Sequence, residues 1–319
     1  MTATMPLPTQ APVSTMNPTE IAKSTVVLQL EISVPSFKKK IDSKEVKRTD
    51  DDADSTMLHV HKDLIDRSAA EYTAITGAVS RLKNRWLRNR TVPCKVLKGG
   101  MYGIPVTLVG EVDAGIQNFI NEEWRPLIEV LATKFETLKE EAQKRLGSHY
   151  DPSDYPGAEA LKGKFKITVR WLSFNVPAAL AELDKELFDR ECQRAEAEWR
   201  QVSDDIRGAL RESFAGLVEH LLDRLTPDED GKPKKLHTTA VEQLQDFLST
   251  FSARNLTNDA ELAALAQRAQ GIMRGVGVDQ LRKQETTRAR IVNGFSAMKE
   301  QLSGLVQKRG RSFEFDGDV

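Results

Sequence analysis

The chain has 319 residues, with 46 Lys and Arg against 47 Asp and Glu, a formal net charge of −1 and a pI near 6.6. A balance this close to neutral excludes bulk electrostatic steering toward nucleic acid or an anionic membrane. The 39% apolar content supports a core in one or two domains, and the 6% aromatic content is lean for a β-sandwich or an aromatic-lined cleft. Cys94 and Cys192 are too few for a secreted disulfide framework. There is no basic start followed by an apolar stretch, and no run approaches the roughly 18 apolar residues of a membrane span. A cytoplasmic protein without membrane contact is therefore expected.

In chain order, residues 1–23 open with Pro6, Pro8, Pro12 and Pro18 among Thr and Ser, which predicts a disordered tail. From Val26 to Val34, apolar residues at every second position predict a strand with one face on a core, ended by Pro35. Lys38 to Asp54 changes from three lysines to four aspartates and reads as an exposed connection. Ile65, Ser68, Tyr72, Ile75, Val79, Leu82 and Trp86 then recur three and four apart, predicting a helix from about Lys62 to Asn89. Pro93, Gly99, Gly100, Gly103 and Pro105 forbid regular continuation and predict an irregular or short β connection, with Pro105 suited to a first helical position.

Two further stripes follow, Val109, Val112, Ile116, Ile120 and then Leu127, Leu131, Phe135, Leu138, Ala142. Pro126 lacks an amide hydrogen, so a kink or break is expected near Trp124 to Pro126, and Gly147 is a plausible stop. His149 to Gly163 reads as a loop. Phe165 to Trp171 alternates as a second strand, and the two strands should pair in a small sheet, since an isolated strand leaves its backbone groups unpaired.

Between Pro177 and Leu225 a seam holds almost throughout, predicting a helix of nearly fifty residues, roughly 70 Å long. Trp199, Val202, Ile206, Leu210, Phe214, Leu217 and Leu221 are its candidate helix-to-helix interface. Thr226 to Thr238 carries Pro227, Asp228, Glu229, Asp230, Gly231 and Pro233 and reads as a linker. Helices resume at Thr239–Phe251, at Asn258 with Glu261 in a capping-box-like start, and at Val278–Val306 on a seam of Ile291, Phe295, Met298, Leu302 and Leu305. Residues 313–319 form an acidic tail.

Candidate chemistry is sparse. His59 and His61 would share one face of a strand, but no third ligand lies nearby, and two solvent-facing histidines are the simpler reading. Neither cysteine has a catalytic signature, and there is no G-x-S-x-G. The glycines at 99, 100 and 103 and at 271, 275 and 277 are not phosphate-binding loops, because no Gly-Lys-Ser/Thr follows and neither group sits in a βαβ unit. The carboxylate pairs Glu122 with Glu123 and Glu140 with Glu141 read as solvated faces. No catalytic residue, metal ligand or cofactor site is assigned.

The sharpest charge feature is Arg81, Lys83, Arg85, Arg88, Arg90, Lys95 and Lys98, seven cations without one acidic residue, with Trp86 among them. Cations neutralise phosphate and an indole stacks on bases, so this is the candidate nucleic-acid segment. Equally, cations complement the carbonyls at a helix C-terminus, and Trp86 falls on the apolar seam.

Three segments, LQLEISVPSFKKKI at Leu28–Ile41, GGMYGIP at Gly99–Pro105 and YPGAEALKGKFKITVRWLSFNVP at Tyr155–Pro177, carry a resemblance. With the helical pattern between them they resemble, over residues 24–310, a bacterial and phage domain-of-unknown-function family often encoded beside MoxR-type AAA ATPases. The resemblance implies a phage or bacterial cytoplasmic protein that acts with such an ATPase, in the host cell if phage-encoded, and it supplies no active-site residues. The chain has no Walker motif, so the ATPase would be a partner.

The expected fold is mainly α (α+β), an elongated antiparallel long-helix bundle or coiled coil with a small sheet. It would span 24–225, followed by the linker 226–238 and a C-terminal helical region 239–312. The expected function is a non-enzymatic scaffold or adaptor that self-assembles or docks to an AAA ATPase, with a nucleic-acid-binding protein using segment 81–98 as the alternative.

Overall fold

The computed structural model describes residues 18–41, 60–93, 97, 99–173, 176–177, 179–228 and 234–307. The chain forms two compact units, one from residues through 28 with 89–109 and 171–319, the other from 29–88 and 110–170. It is mainly helical with small antiparallel sheets.

Alternation at Val26 makes a strand as expected: β1, Thr25–Ser33, is the middle of a three-stranded sheet with β4, Met101–Pro105, on one side and β5, Lys166–Leu172, on the other. The two strands read from sequence are thus neighbours. Three expectations fail around them. Pro18–Lys23 is not tail but a short helix, α1, whose Ile21 is fully buried. Lys38–Ile41 is not an exposed connection but a strand, β2, paired antiparallel with β3, Val60–Asp63, with Lys39 opposite Lys62 and Lys40 opposite His61. Pro105 ends β4 and caps the 3-10 turn Val106–Leu108, so it stands one position before the first helical residue and not at it. The rest of the expected tail, 1–17, the stretch 42–59 after β2, and the acidic tail 313–319 lie outside the described residues.

In the first unit the organising element is α7, Lys185–Leu225, 41 residues long. It is shorter than the expected helix because Asp184 turns extended (φ −155°, ψ 105°) and caps α7, its carboxylate accepting from the Leu187 amide at 3.0 Å. The preceding turn, α6, Ala179–Leu183, is separate. After α7 come α8, Thr238–Arg254, α9, Ala260–Met273, α10, Val278–Lys283, and α11, Glu285–Gln307. The single helix expected over Val278–Val306 is therefore two. The cap of α9 is Asp259, not Asn258: its carboxylate accepts from the Leu262 amide while Asn258 sits at φ 49°. Lys299 bonds Glu219 at 2.8 Å and Arg211 donates to the Leu305 carbonyl at 3.2 Å, so α11 runs antiparallel to α7. Phe214 stacks on Phe247 of α8 with centroids 5.3 Å apart. One apolar cluster runs through α7, α8, α9 and α11, so the 226–238 connection does not divide two cores.

The second unit packs α2, Ala70–Ser80, on α4, Arg125–Leu146, which follows α3, Val109–Asn118. The helix expected from Lys62 begins later because β3 takes Lys62 and Asp66 turns the chain, accepting from the Ser68 amide at 2.9 Å. Both α2 and α3 pass into π-type turns, Arg81–Trp86 and Phe119–Trp124. In the second, Arg125 donates to Ile120 five residues back, and Pro126 then falls in the first turn of α4, where its missing hydrogen costs no bond. Pro126 is thus accommodated by a widened turn. Gly147, at φ 54°, ends α4. The loop expected over His149–Gly163 contains a one-turn helix, α5, Ala158–Lys162.

Candidate functional site

The described cations of the basic segment differ in their surroundings. Arg90 is 8% exposed and lies in the first unit, where its guanidinium meets both carboxylate oxygens of Asp246 at 3.2 and 3.4 Å. Asn89 donates to the same carboxylate at 2.8 Å, and Arg254 donates to the Thr91 carbonyl at 3.0 Å. A fork-to-fork pair of this kind fixes Arg90 onto α8, with no phosphate needed. Arg81, Lys83, Arg85 and Arg88 belong to the other unit. Arg81 pairs with Glu123 at 3.0 Å, Lys83 and Arg85 are half-buried, and Arg88 is exposed. Trp86 lies over Gly115 of α3 so closely that a Cβ there would collide with its ring, so the indole is a packing element. Lys95, Lys98 and Cys94 lie outside the described residues.

Of the candidate interface on α7, Trp199, Val202, Ile206, Leu210, Phe214 and Leu221 are buried, and Leu217 packs partly buried against the same cluster. The partners are α1, α8 and α11 of the same chain. The seam read as a helix-to-helix interface packs against helices within one unit.

Among the described residues, the least covered part of α7 is its first four turns. From Lys185 to Glu198 no residue is buried, yet Leu187, Phe188, Glu191, Cys192, Ala195 and Glu198 are half-buried along one stripe, and Leu183 of α6 is 81% exposed. Arg194 pairs with Glu198 and Arg200 with Glu196 along the helix. Asp189 and Glu191, beside Phe188 and Cys192, make no such pair among the described residues.

One polar cluster was invisible in the sequence. Asp154, its side chain fully buried, accepts from Lys39 and lies 2.7 Å from Lys62, an ion pair whose alignment falls short of a hydrogen bond. Lys62 also donates to the His149 carbonyl at 2.5 Å. Burial pushes the Asp154 carboxyl up, but the two lysines outweigh it and hold the group below its usual range. The hydrogen bond to Asp154 raises Lys39. Neighbouring Tyr155, with a buried hydroxyl lacking a partner, is pushed up to about 12, mainly by burial and then by Tyr150 and Asp154. Near neutral pH Asp154 stays ionised, Lys39 stays protonated and Tyr155 stays neutral, so the cluster acts as a lock between the β2–β3 hairpin and residues 149–155 and not as a proton shuttle. Its members are 115 residues apart in sequence, and no local signal joins them.

His61 is exposed opposite Lys40, His59 lies outside the described residues, and no group of three or more His, Cys, Asp or Glu could hold a metal among the described residues. No described helix is long and apolar enough to cross a membrane. Compared with known proteins, the chain matches no family model, no curated protein and no solved structure.

Proposed function

We propose that this chain is a non-enzymatic adaptor that docks a partner through the first four turns of α7, an AAA ATPase being the partner class implied by the family resemblance. The observation that carries the reading is the contrast within one helix. After Trp199 the seam is buried by α1, α8 and α11, and before it the same seam continues through Leu187, Phe188, Cys192 and Ala195 without a buried residue. A helix groove with an apolar stripe is completed by another amphipathic helix. Charge argues against a parallel second copy. In a parallel helix pair, Asp189 and Glu191 would lie level with their own counterparts, and like charges across a helix pair cost energy. A partner helix with lysine or arginine beside its apolar seam fits this face.

The test uses the full chain and a labelled synthetic amphipathic peptide, leucines on its seam and lysines on its flanks, against the same peptide with glutamates. The lysine peptide should bind, lose affinity as salt rises from roughly 50 to roughly 500 mM, and lose about tenfold or more with Phe188→Glu. Equal binding of both peptides would overturn the charge argument. A dimer in light scattering that Phe188→Glu dissociates would overturn the partner reading in favour of self-assembly. Retention of single-stranded nucleic acid, lost with Arg85→Glu and Arg88→Glu, would instead favour the basic segment.

A further inference from the structure

Where α7 ends, the chain makes a pocket lined by cations and leucines. Arg224 and Leu225 close α7, residues 234–236 return from the connection, and Leu281, Arg282 and Arg288 come from α10 and the start of α11. Together they enclose about 520 Å³. Of the eight described residues that line it, five are cations, Arg224, Lys234, Lys235, Arg282 and Arg288, and none is acidic. The nearby carboxylates sit behind the wall: Asp223 takes Lys234 at 2.5 Å and lies 3.6 Å from Arg224, and Asp279 lies 3.7 Å from Arg282.

Arg282 and Arg288 are positioned by backbone carbonyls, and Arg288 makes no ion pair among the described residues, while Arg282 and Arg224 each have one carboxylate, at 3.7 and 3.6 Å. Arg282 donates through Nε and Nη2 to the Leu236 carbonyl at 3.3 and 2.8 Å. Arg288 donates through Nε to Leu281 at 3.0 Å and through Nη2 to Arg282 at 2.9 Å. Carbonyl bonds fix a guanidinium in place at little cost to its field, so these groups are ordered before any anion arrives. Two donors are still unused. Arg224 Nε is buried and makes no hydrogen bond, and Lys235 makes no ion pair among the described residues. Like charges converging on one space repel one another, and a polyanion relieves that repulsion while supplying the missing acceptors. The three leucines, 225, 236 and 281, add an apolar wall.

We infer that this pocket binds the phosphate groups of a small molecule, a diphosphate by charge and size, with the leucine wall available to an apolar or ring-bearing remainder. Five cations around two neighbouring phosphates provide the forked, charge-assisted geometry in which arginine excels. Binding joins the 234–236 segment to the α10–α11 junction through one ligand, so it raises the stability of the unit that contains both. The site is separate from the α7 face proposed for a partner, and either can fail without the other.

Inorganic pyrophosphate is the probe, titrated into the full chain by calorimetry and thermal unfolding, with sodium chloride at matched ionic strength as the reference. Pyrophosphate should bind at one site per chain and raise the melting temperature beyond the salt reference. Lys235→Gln, at an exposed position, and Arg288→Gln should each weaken binding by about tenfold or more, while Lys299→Gln, elsewhere on α11, should not. If Arg288→Gln unfolds the chain, Lys235→Gln alone decides. Stabilisation no greater than with chloride, or binding unchanged in Lys235→Gln, overturns the inference. Binding of an RNA oligonucleotide that pyrophosphate does not displace would equally overturn it.

Discussion

In the unit built on α7, buried Ile206, Leu210, Phe214, Val218 and Leu221 recur along one helix and meet equivalent rows on α8 and α11. In the unit built on α2 and α4, the contacts jump along the chain. Phe37 packs edge-on against Tyr72 at 5.6 Å and against Phe135 at 6.0 Å, Phe135 reaches Tyr155, and Lys39 and Lys62 clamp Asp154. Phe37 does this from φ 50°, a backbone state that costs a non-glycine residue about 1–2 kcal/mol. Its burial between two rings holds it there. One unit is a repeated apolar stripe, and the other is a set of singular contacts between distant segments. The first tolerates loss at its rim and is sensitive at its centre, whereas the second concentrates its stability in few residues.

The largest effect expected is at the centre of the stripe. Phe214 is fully buried and stacked on Phe247, so Phe214→Ala should cost about 3–5 kcal/mol through lost burial and the cavity left behind. Urea denaturation followed by far-ultraviolet circular dichroism would measure it. A loss under about 1 kcal/mol would mean that the seam is not this unit's core.

The second unit should break at its ion lock. Asp154→Ala leaves Lys62, 8% exposed, without its carboxylate, while half-exposed Lys39 turns to water. A cost of about 1–3 kcal/mol is expected, and the pair of changes Asp154→Leu with Lys62→Met should recover most of it. The pH dependence follows from the direction of the shift. Asp154 is held below its usual carboxylate range, so its contribution is fully present above the unfolded-state value near 3.8 and is lost as pH falls through the lower folded value. In Asp154→Asn that part of the acid limb should vanish. An unchanged acid limb would place the lock's charge outside the stability of the fold.

The same contrast explains what could be read from the residues alone. The seam of α7 was legible from Trp199 onward, as was that of α11 at Ile291, Phe295, Met298, Leu302 and Leu305, because burial on a helix repeats every three or four positions. The pairing of β1 with β5 followed from two alternating segments needing partners. The role of the α7 seam did not follow, since periodicity states that a face is covered and not by what: α1, α8 and α11 cover it. The partners of the basic run were hidden for a related reason. Seven like charges in sequence said nothing of Asp246, 156 residues beyond Arg90, or of Glu123 opposite Arg81. The pocket of Arg224, Lys234, Lys235, Arg282 and Arg288 escaped notice because its cations come from three separate segments, each mixed with acids. Lys38–Ile41 hid as a strand because a short two-stranded pair held by lysines carries no apolar alternation.

The smallest effect tests whether the second unit's polar contacts are specific or merely crowded. Asp66 takes hydrogen bonds from the Ser68 hydroxyl at 2.6 Å and amide at 2.9 Å, and then from Arg145 at 2.5 Å. These bonds, the Ser68 hydroxyl first, hold its carboxyl at about 2. The group is at the surface, so little stability rides on it, but its titration reports the geometry directly. Carboxyl chemical shifts followed by nuclear magnetic resonance should give a midpoint near 2 in the native chain. Ser68→Ala should move that midpoint toward the ordinary 3.8 further than Arg145→Ala does, because the hydroxyl bond is the larger influence and the guanidinium is exposed to screening by salt. The reverse order would mean that the charge of α4, and not the turn at Asp66 that ends β3 and begins the approach to α2, sets this carboxylate.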